Sequence, residues 1–484
     1  MTRFPIKNDR SHSALMALFV ILVLVLGIGN SRGSEGPTDS QITAWVQEQV
    51  RQDPRINPGK VEVATRSGIV TLGGTVPTLA GKRYADLESK RIRGVAGVIN
   101  EIIVSPVLRS DKEISQDVRR RFQNNADLNQ SAVAAESLEG KVFLSGKVDS
   151  WSKREQAEFL AAEVRGVRQV VNEVQVQYKE ERGDDEIEKD VTSGMNRDVY
   201  LCGLPIRVSV VVGVVTLQGS VTSLYEKDRA SFDSLSVSSV KKVDNRLRIV
   251  GGETHIREKA PRPSDDELRR RIREELAQDL RMVSPYELDI EVINGNVTLR
   301  GLVWSPYERR LAIEDTRDVV GVGRVEDLLT VWPELREDRA VRDDIQFEMG
   351  LDSVLHSQDL GIRVAGGIVT LTGKVDTFYR KLHAGEVASR VRGVRDVVNA
   401  IQVTGAPMFS DAAVRDAVKR RLEANTLTGS AADRISVKVE KGRATLAGEV
   451  DTWVQYREAA RVALLTKGVG SLDNQLNLAG AQFH

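Results

Sequence analysis

Gly367-Ile368-Val369-Thr370-Leu371-Thr372-Gly373-Lys374-Val375 is the stretch on which the reading of this chain turns. Its frame, Gly-x-Val-x-Leu-x-Gly-x-Val, occurs six times in 484 residues, with Ala444 in place of the first valine in the last copy. The first glycine is Gly68, Gly140, Gly213, Gly295, Gly367 and Gly442. The second, six residues on, is Gly74, Gly146, Gly219, Gly301, Gly373 and Gly448. Thirty-two residues after each first glycine stands a polar residue: Asn100, Asn172, Asn245, Asp327, Asn399 and Asn474. Self-similarity at a fixed spacing means copies of one unit. The chain therefore holds six domains of about seventy residues, each near the lower size limit for an independent core, where length alone suggests three or four.

Periodicity gives the unit its elements. Ile42, Val46 and Val50 recur at helical spacing, as do Ile114/Val118/Phe122 and Val341/Ile345/Met349. Asp39, Asp111, Ser264 and Ser410 lie just ahead and suit N-caps. Alternating apolar residues on either side of Ser67-Gly68 predict a β-hairpin, and Asn294-Gly295 is the strongest short turn signal among the copies. Within the second strand Val70, Leu72, Gly74 and Val76 share one face. The second glycine is therefore expected to let a covering helix approach the sheet. A second helix over about Leu79–Ile92 ends at Gly94, with Gly166, Gly321, Gly393 and Gly468 as counterparts and Ser239 in the third copy. In the third strand the Asn lies among aliphatic residues, so it is expected to be buried and bonded to backbone. The unit is αββαβ: a three-stranded mixed sheet covered on one face by two helices. The fold class is α+β, six such domains in tandem behind an N-terminal hydrophobic helix.

This pattern resembles the BON domain family. The resemblance rests on the glycine-valine strand, the Gly-Val pair that ends the second helix, and the Val-x-Asn-x-Ile/Val strand, and it covers residues 38 to 480. It implies residence in the periplasm or cell envelope, phospholipid association, a role in osmotic or envelope stress, and binding rather than catalysis. The repeats fall at 38–106, 110–178, 183–250, 264–333, 337–405 and 410–480. Residues 251–263, with two prolines, read as a semi-rigid linker between two sets of three.

Lys plus Arg equals Asp plus Glu, 69 each, so no global field points to nucleic acid. Locally, residues 40–105 have about three excess positive charges and residues 264–333 about five excess negative ones. Cys202 is the single cysteine, which rules out an intrachain disulfide and a cysteine-rich metal site, and the five histidines lack ligand spacing. No cofactor or metal is implied. Arg3, Lys7 and Arg10 precede the apolar run Ala14–Ile28, so residues 1–36 read as an export signal or an uncleaved inner-membrane anchor plus tether.

No catalytic arrangement recurs among the copies. An aromatic and basic theme does, at the start of the second helix. The candidate contacts for lipid or partner are Lys82, Arg83, Trp151, Lys153, Arg154, Tyr225, Lys227, Trp304, Tyr307, Arg309, Phe378, Tyr379, Arg380, Trp453 and Tyr456. Cation beside aromatic suits an anionic phospholipid surface. Capping of the core and docking of envelope protein partners are the competing readings.

Overall fold

The computed structural model describes residues 36–56, 60–125, 128, 131–178, 182–198, 200–250, 263–278, 288–332, 335–352, 354–355, 359–404 and 409–479. The expected N-terminal helix and the 251–262 portion of the linker lie outside them.

Each repeat is αββαβ. The first helices are Asp39–Gln52, Asp111–Asn124, Asp184–Arg197, Asp265–Gln278, Asp338–Leu351 and Asp411–Ala424. The second helices are Leu79–Lys90, Trp151–Ala162, Leu224–Ser236, Pro306–Asp318, Phe378–Ser389 and Trp453–Leu464. The long hairpin strand is central in every sheet, antiparallel to the first strand and parallel to the third. In repeat 5, Leu360–Ala365 pairs with Ile368–Val375, which pairs with Asp396–Asn399 and Gln402–Val403. Alternate residues of the central strand are sealed: Val369 and Leu371 are fully buried under the helices while Ile368 is 44% exposed on the open face. Six separate apolar clusters follow, one for each repeat.

The hairpin turn needs two successive left-handed residues. Ser67, Glu139, Val212, Asn294 and Lys441 take φ of 49–53°, Gly366 takes 57°, and the first glycine follows at 73–80°. That is the I′ geometry whose twist matches the flanking strands. A single carboxylate secures it. The Asp that opens each first helix accepts from both turn amides at 2.7 to 3.0 Å in all six repeats; Asp338, for instance, takes Gly366 N–H and Gly367 N–H. This corrects the assignment of Asp39 and Asp111 as caps. Thr38 and Ser110 cap those helices, each in a capping box, and the Asp one residue further in is free to reach the hairpin.

The second glycine is explained differently from the sequence expectation. It has a positive φ, from 89° at Gly74 to 130° at Gly301. A Cβ at Gly146 or Gly219 would lie 1.9 Å from a carbonyl oxygen of the neighbouring strand, on Ala132 or Pro205. The close neighbour is the adjacent strand's backbone rather than the covering helix. At the end of the second helix the glycines are again left-handed, and Ser239 adopts φ 71° in the third copy.

The third-strand Asn is half-buried and clasps helix to sheet. Asn399 Nδ2 donates to Lys381 O at 2.5 Å and Asn399 Oδ1 accepts from Ile401 N at 3.3 Å. Asn100, Asn172, Asn245 and Asn474 make the same pair of bonds. Asp327 cannot donate. It still accepts from Leu329 N, and its other oxygen takes Arg309 Nε at 2.8 Å, from the helix position where the others supply a carbonyl.

Two outcomes follow. Asn399→Leu removes the extra bond to the Lys381 carbonyl, leaves the Ile401 amide without its side-chain acceptor, and is expected to cost about 1–3 kcal/mol in a urea titration; an unchanged midpoint would show that the clasp contributes nothing. The turn amides hold the Asp111, Asp184 and Asp338 carboxyls below their ordinary range, with Gly140, Gly213 and Gly367 N–H the largest causes. Their stabilisation is present above the unfolded value of about 3.9 and is lost as pH falls through the folded one. Urea midpoints should drop below about pH 4, and Asp338→Asn should flatten part of that drop.

Candidate functional site

The expected contact edge lies at the start of the second helix, opened in each repeat by a Ser or Thr cap. Much of it is engaged between repeats. Arg83 pairs with Glu158 of repeat 2. Trp151 Nε1 donates to Val240 O of repeat 3 at 3.0 Å. Arg91 of repeat 1 stacks over Tyr225 at 4.7 Å, and Arg390 of repeat 5 over Tyr307 at 4.6 Å. Arg55 of repeat 1 approaches Tyr379, which stacks on His383. Others turn back on their own repeat: Lys153 to Asp149, Arg154 to Val174 O, Lys227 to Leu247 O, Arg309 to Asp327, Arg380 to Asp376, and Tyr456 to Asn474 O. Lys82 and Phe378 are half-exposed, and Trp304 is 43% exposed. The Trp453 side chain lies outside the described set.

These contacts belong to a larger arrangement. The described residues from Gly36 onward form one compact unit. First helices pack in pairs: repeat 1 on 6, 2 on 5, 3 on 4. Second helices join 1 to 2, 2 to 3, 4 to 5 and 4 to 6. Lys90 to Asp228 and Arg91 to Tyr225 join 1 to 3. Repeats 1–3 and 4–6 are thus two groups of three, facing each other through their first helices.

The pairing of repeats 1 and 6 is a densely ion-paired seam. Glu88, fully buried, accepts from Gln49, Arg55 and Arg461 at 2.5 to 2.7 Å. Arg461 also binds Glu458, which accepts from Asn425 and Arg91. Arg421 donates to Gln49, Val462 O and Thr466. A two-residue antiparallel bridge, Ile92 with Asn425, closes the joint, and its counterpart, Asp198 with Val319, joins repeats 3 and 4. Burial alone would raise the Glu88 and Glu458 carboxyls. The guanidiniums outweigh it: Arg461, Arg55 and Arg91 hold Glu88 well below the usual range, and Arg461 and Arg91 hold Glu458 at about 2.

The seam on the other side is less compensated. A cavity of about 1070 Å³ opens chiefly among repeats 2 to 5, with Arg83 of repeat 1 and Arg457 of repeat 6 at its wall; Glu163, Asp198, Glu275, Asp318 and Glu348 line it with Arg121, Arg229, Phe159 and Phe232. Burial raises Glu275, Asp318 and Glu348 above the ordinary carboxylate range despite Arg197, Arg457 and Arg121 nearby. The sequence reading passed over these groups because Arg121, Gly194, Glu275, Glu348 and Arg421 occupy one repeat position with no common chemistry. The Asp that binds the hairpin was legible: it stands 29 to 31 residues before every first glycine.

Removing one member of the buried seam strands the others. Glu88→Gln leaves Arg461 and Arg55 short of counter-charge and is expected to cost about 3–5 kcal/mol, read as a fall in the thermal midpoint at pH 7. An equal loss from Glu155→Gln, at the far cavity, would show that the joint of repeats 1 and 6 has no special weight.

The model of the BON domain matches residues 38–106, 110–178, 183–251, 264–333, 337–405 and 410–480. The osmotically-inducible protein Y of Escherichia coli strain K12 is 28% identical over 143 residues, 28% of this chain and 71% of that protein. The outer membrane lipoprotein DolP of Haemophilus influenzae is 31% identical over 140 residues, 28% of this chain and 72% of that protein. Among solved structures, CdsD, a structural protein of the type III secretion system of Chlamydia trachomatis, is 15% identical over 43% of this chain and 92% of its own, with a TM-score of 0.13. Six family matches, each on an αββαβ unit with the same carboxylate-held turn and the same pair of strand glycines, make the conclusion plain: the chain belongs to the BON domain family.

Proposed function

We propose that this chain is a non-catalytic envelope protein that associates with anionic phospholipid surfaces and supports envelope integrity under osmotic or related stress. The observation that carries the reading is family membership over nearly the whole described chain, with relatives named for osmotic induction and for the outer membrane. Export rests on the basic residues Arg3, Lys7 and Arg10 ahead of Ala14–Ile28. No helix among the described residues is long and apolar enough to cross a membrane, so the anchoring option concerns residues 14–28 alone.

Lys82 is the contact residue that this reading favours. Arg83, Tyr225, Tyr307 and Tyr379 serve joints between repeats, whereas Lys82 is half-exposed at the same edge. Because the repeats are locked in one body, lipid contacts would act together rather than as separately tethered modules. A second reading, a periplasmic scaffold for protein partners, is favoured by the apolar side chains exposed on repeats 1 and 4.

Pelleting with vesicles containing phosphatidylglycerol separates the two. The membrane reading expects binding at low salt that weakens as salt rises, and a Lys82→Glu variant that binds several-fold less, since one basic residue near such a surface contributes about 1 kcal/mol. Absence of pelleting by folded protein overturns it and leaves the scaffold.

A further inference from the structure

Where repeats 1–3 meet repeats 4–6, first helices pack on each other in three joints, and one position of that helix can be compared across all three. In the joint of repeats 1 and 6 it holds Gln49 and Arg421, and Arg421 Nε donates to Gln49 Oε1 at 3.0 Å. In the joint of repeats 2 and 5 it holds Arg121 and Glu348, with Arg121 Nε 3.3 Å from the Glu348 carboxylate. In the joint of repeats 3 and 4 it holds Gly194 and Glu275. Two joints thus send a guanidinium across the seam, and the third sends no side chain to Glu275 from this position. The guanidinium nearest to Glu275 is that of Arg197, whose Nε stands 3.7 Å away while its Nη1 donates to Glu274 at 2.9 Å. Space does not keep a side chain out: a Cβ at Gly194 would find its nearest neighbour, Arg197 Nη2, at 3.9 Å.

Gly194 and Glu275 both line the cavity of about 1070 Å³. The joints explain where it opens. The two-residue bridges Ile92 with Asn425 and Asp198 with Val319 close the other two joints, whereas Val391 and Asn125, the counterparts of Ile92 and Asn425 in repeats 5 and 2, stand on the cavity wall. Its size is that of a site for a small organic molecule.

The wall specifies the chemistry of an occupant. Twelve carboxylate side chains and seven arginines line it, so positive charge is favoured inside. Apolar surface lies among them: Phe159 and Phe232, at one position of the second helix in repeats 2 and 3, are 40% and 50% exposed. At the same position repeat 4 puts Glu314 on the wall. Among the described residues no three acidic, histidine or cysteine side chains are grouped closely enough to hold a metal ion. A compact metal cation therefore finds no cage, while a flexible cation with ammonium groups spaced along an apolar chain meets spread carboxylates and phenyl rings together.

We propose that this cavity binds a linear aliphatic polyamine. One ammonium takes the place beside Glu275 that a guanidinium of the facing repeat fills in the other joints, and the methylene chain lies along Phe159 and Phe232. Because the wall is built from both groups of three repeats, an occupant holds the two groups together and stabilises the folded chain by mass action.

Calorimetric titration of the full chain with spermidine at pH 7 tests this. The expected result is one site per chain, with a thermal midpoint that rises as spermidine is added. Glu275→Gln keeps the shape of the side chain and should weaken binding about tenfold or more, through loss of one charge-assisted hydrogen bond. Gly194→Arg supplies the missing guanidinium from the protein itself and should abolish binding, with the fold of both variants read from circular dichroism. A parent chain that takes up no spermidine overturns the proposal. So does parent-like affinity in folded Gly194→Arg or in Glu275→Gln, which tests the same contact without added bulk. Equal heat from magnesium at matched charge overturns it as screening of a surface. Binding of an oligolysine peptide without binding of spermidine overturns it too and assigns the cavity to a protein partner.

Discussion

Every repeat hangs on one carboxylate. The Asp at the first turn of the first helix takes both amides of a hairpin turn that two left-handed residues hold in place. That contact links the start of the unit to its hairpin and sets the helix across the sheet, so that Val341, Ile345 and Met349 come down on Val369 and Leu371. An acceptor with two oxygens at a helix N-terminus is favoured by the helix dipole and meets two amides that would otherwise face solvent unpaired. The third-strand Asn does the complementary work at the other end, tying the second helix's carbonyl to the third strand.

Once the unit is fixed, its inner helical surface has two uses. Aliphatic residues seal the repeat's own core, and the last turn of the first helix is left to meet another repeat. There the six copies diverge. Repeats 1 and 6 meet through a network in which Glu88 and Glu458 each face more than one guanidinium, and both stay ionised. Repeats 2 to 5 surround a cavity in which acids outnumber arginines, and burial raises several of them. The same scaffold position thus gives a closed joint on one side and an open one on the other.

The outward surfaces diverge as well. Most open sheet faces are polar, as expected of a sheet with one solvated side, while repeats 1 and 4 expose aliphatic and tryptophan side chains. Function in this chain is therefore sought in what distinguishes the copies, and the shared framework accounts for the fold.

Much of the unit was legible in the sequence. The six glycine frames fixed the number of repeats, the hairpins and the αββαβ order, because backbone conformations open only to glycine and apolar alternation at period two leave a direct trace in residue type. The second glycine was located correctly but explained wrongly: its neighbour is the carbonyl of the adjacent strand, a contact that periodicity cannot show. The aromatic edge shows the wider limit. Trp151, Tyr225, Tyr307 and Tyr379 read as a surface theme because each stands near a basic residue in sequence. The tertiary structure places them at joints between repeats, some against residues more than a hundred positions away. Local sequence determined each domain, since its contacts repeat at short, constant spacing. Only the tertiary structure decided how six domains share their surfaces, because those contacts join positions whose residues vary among the copies.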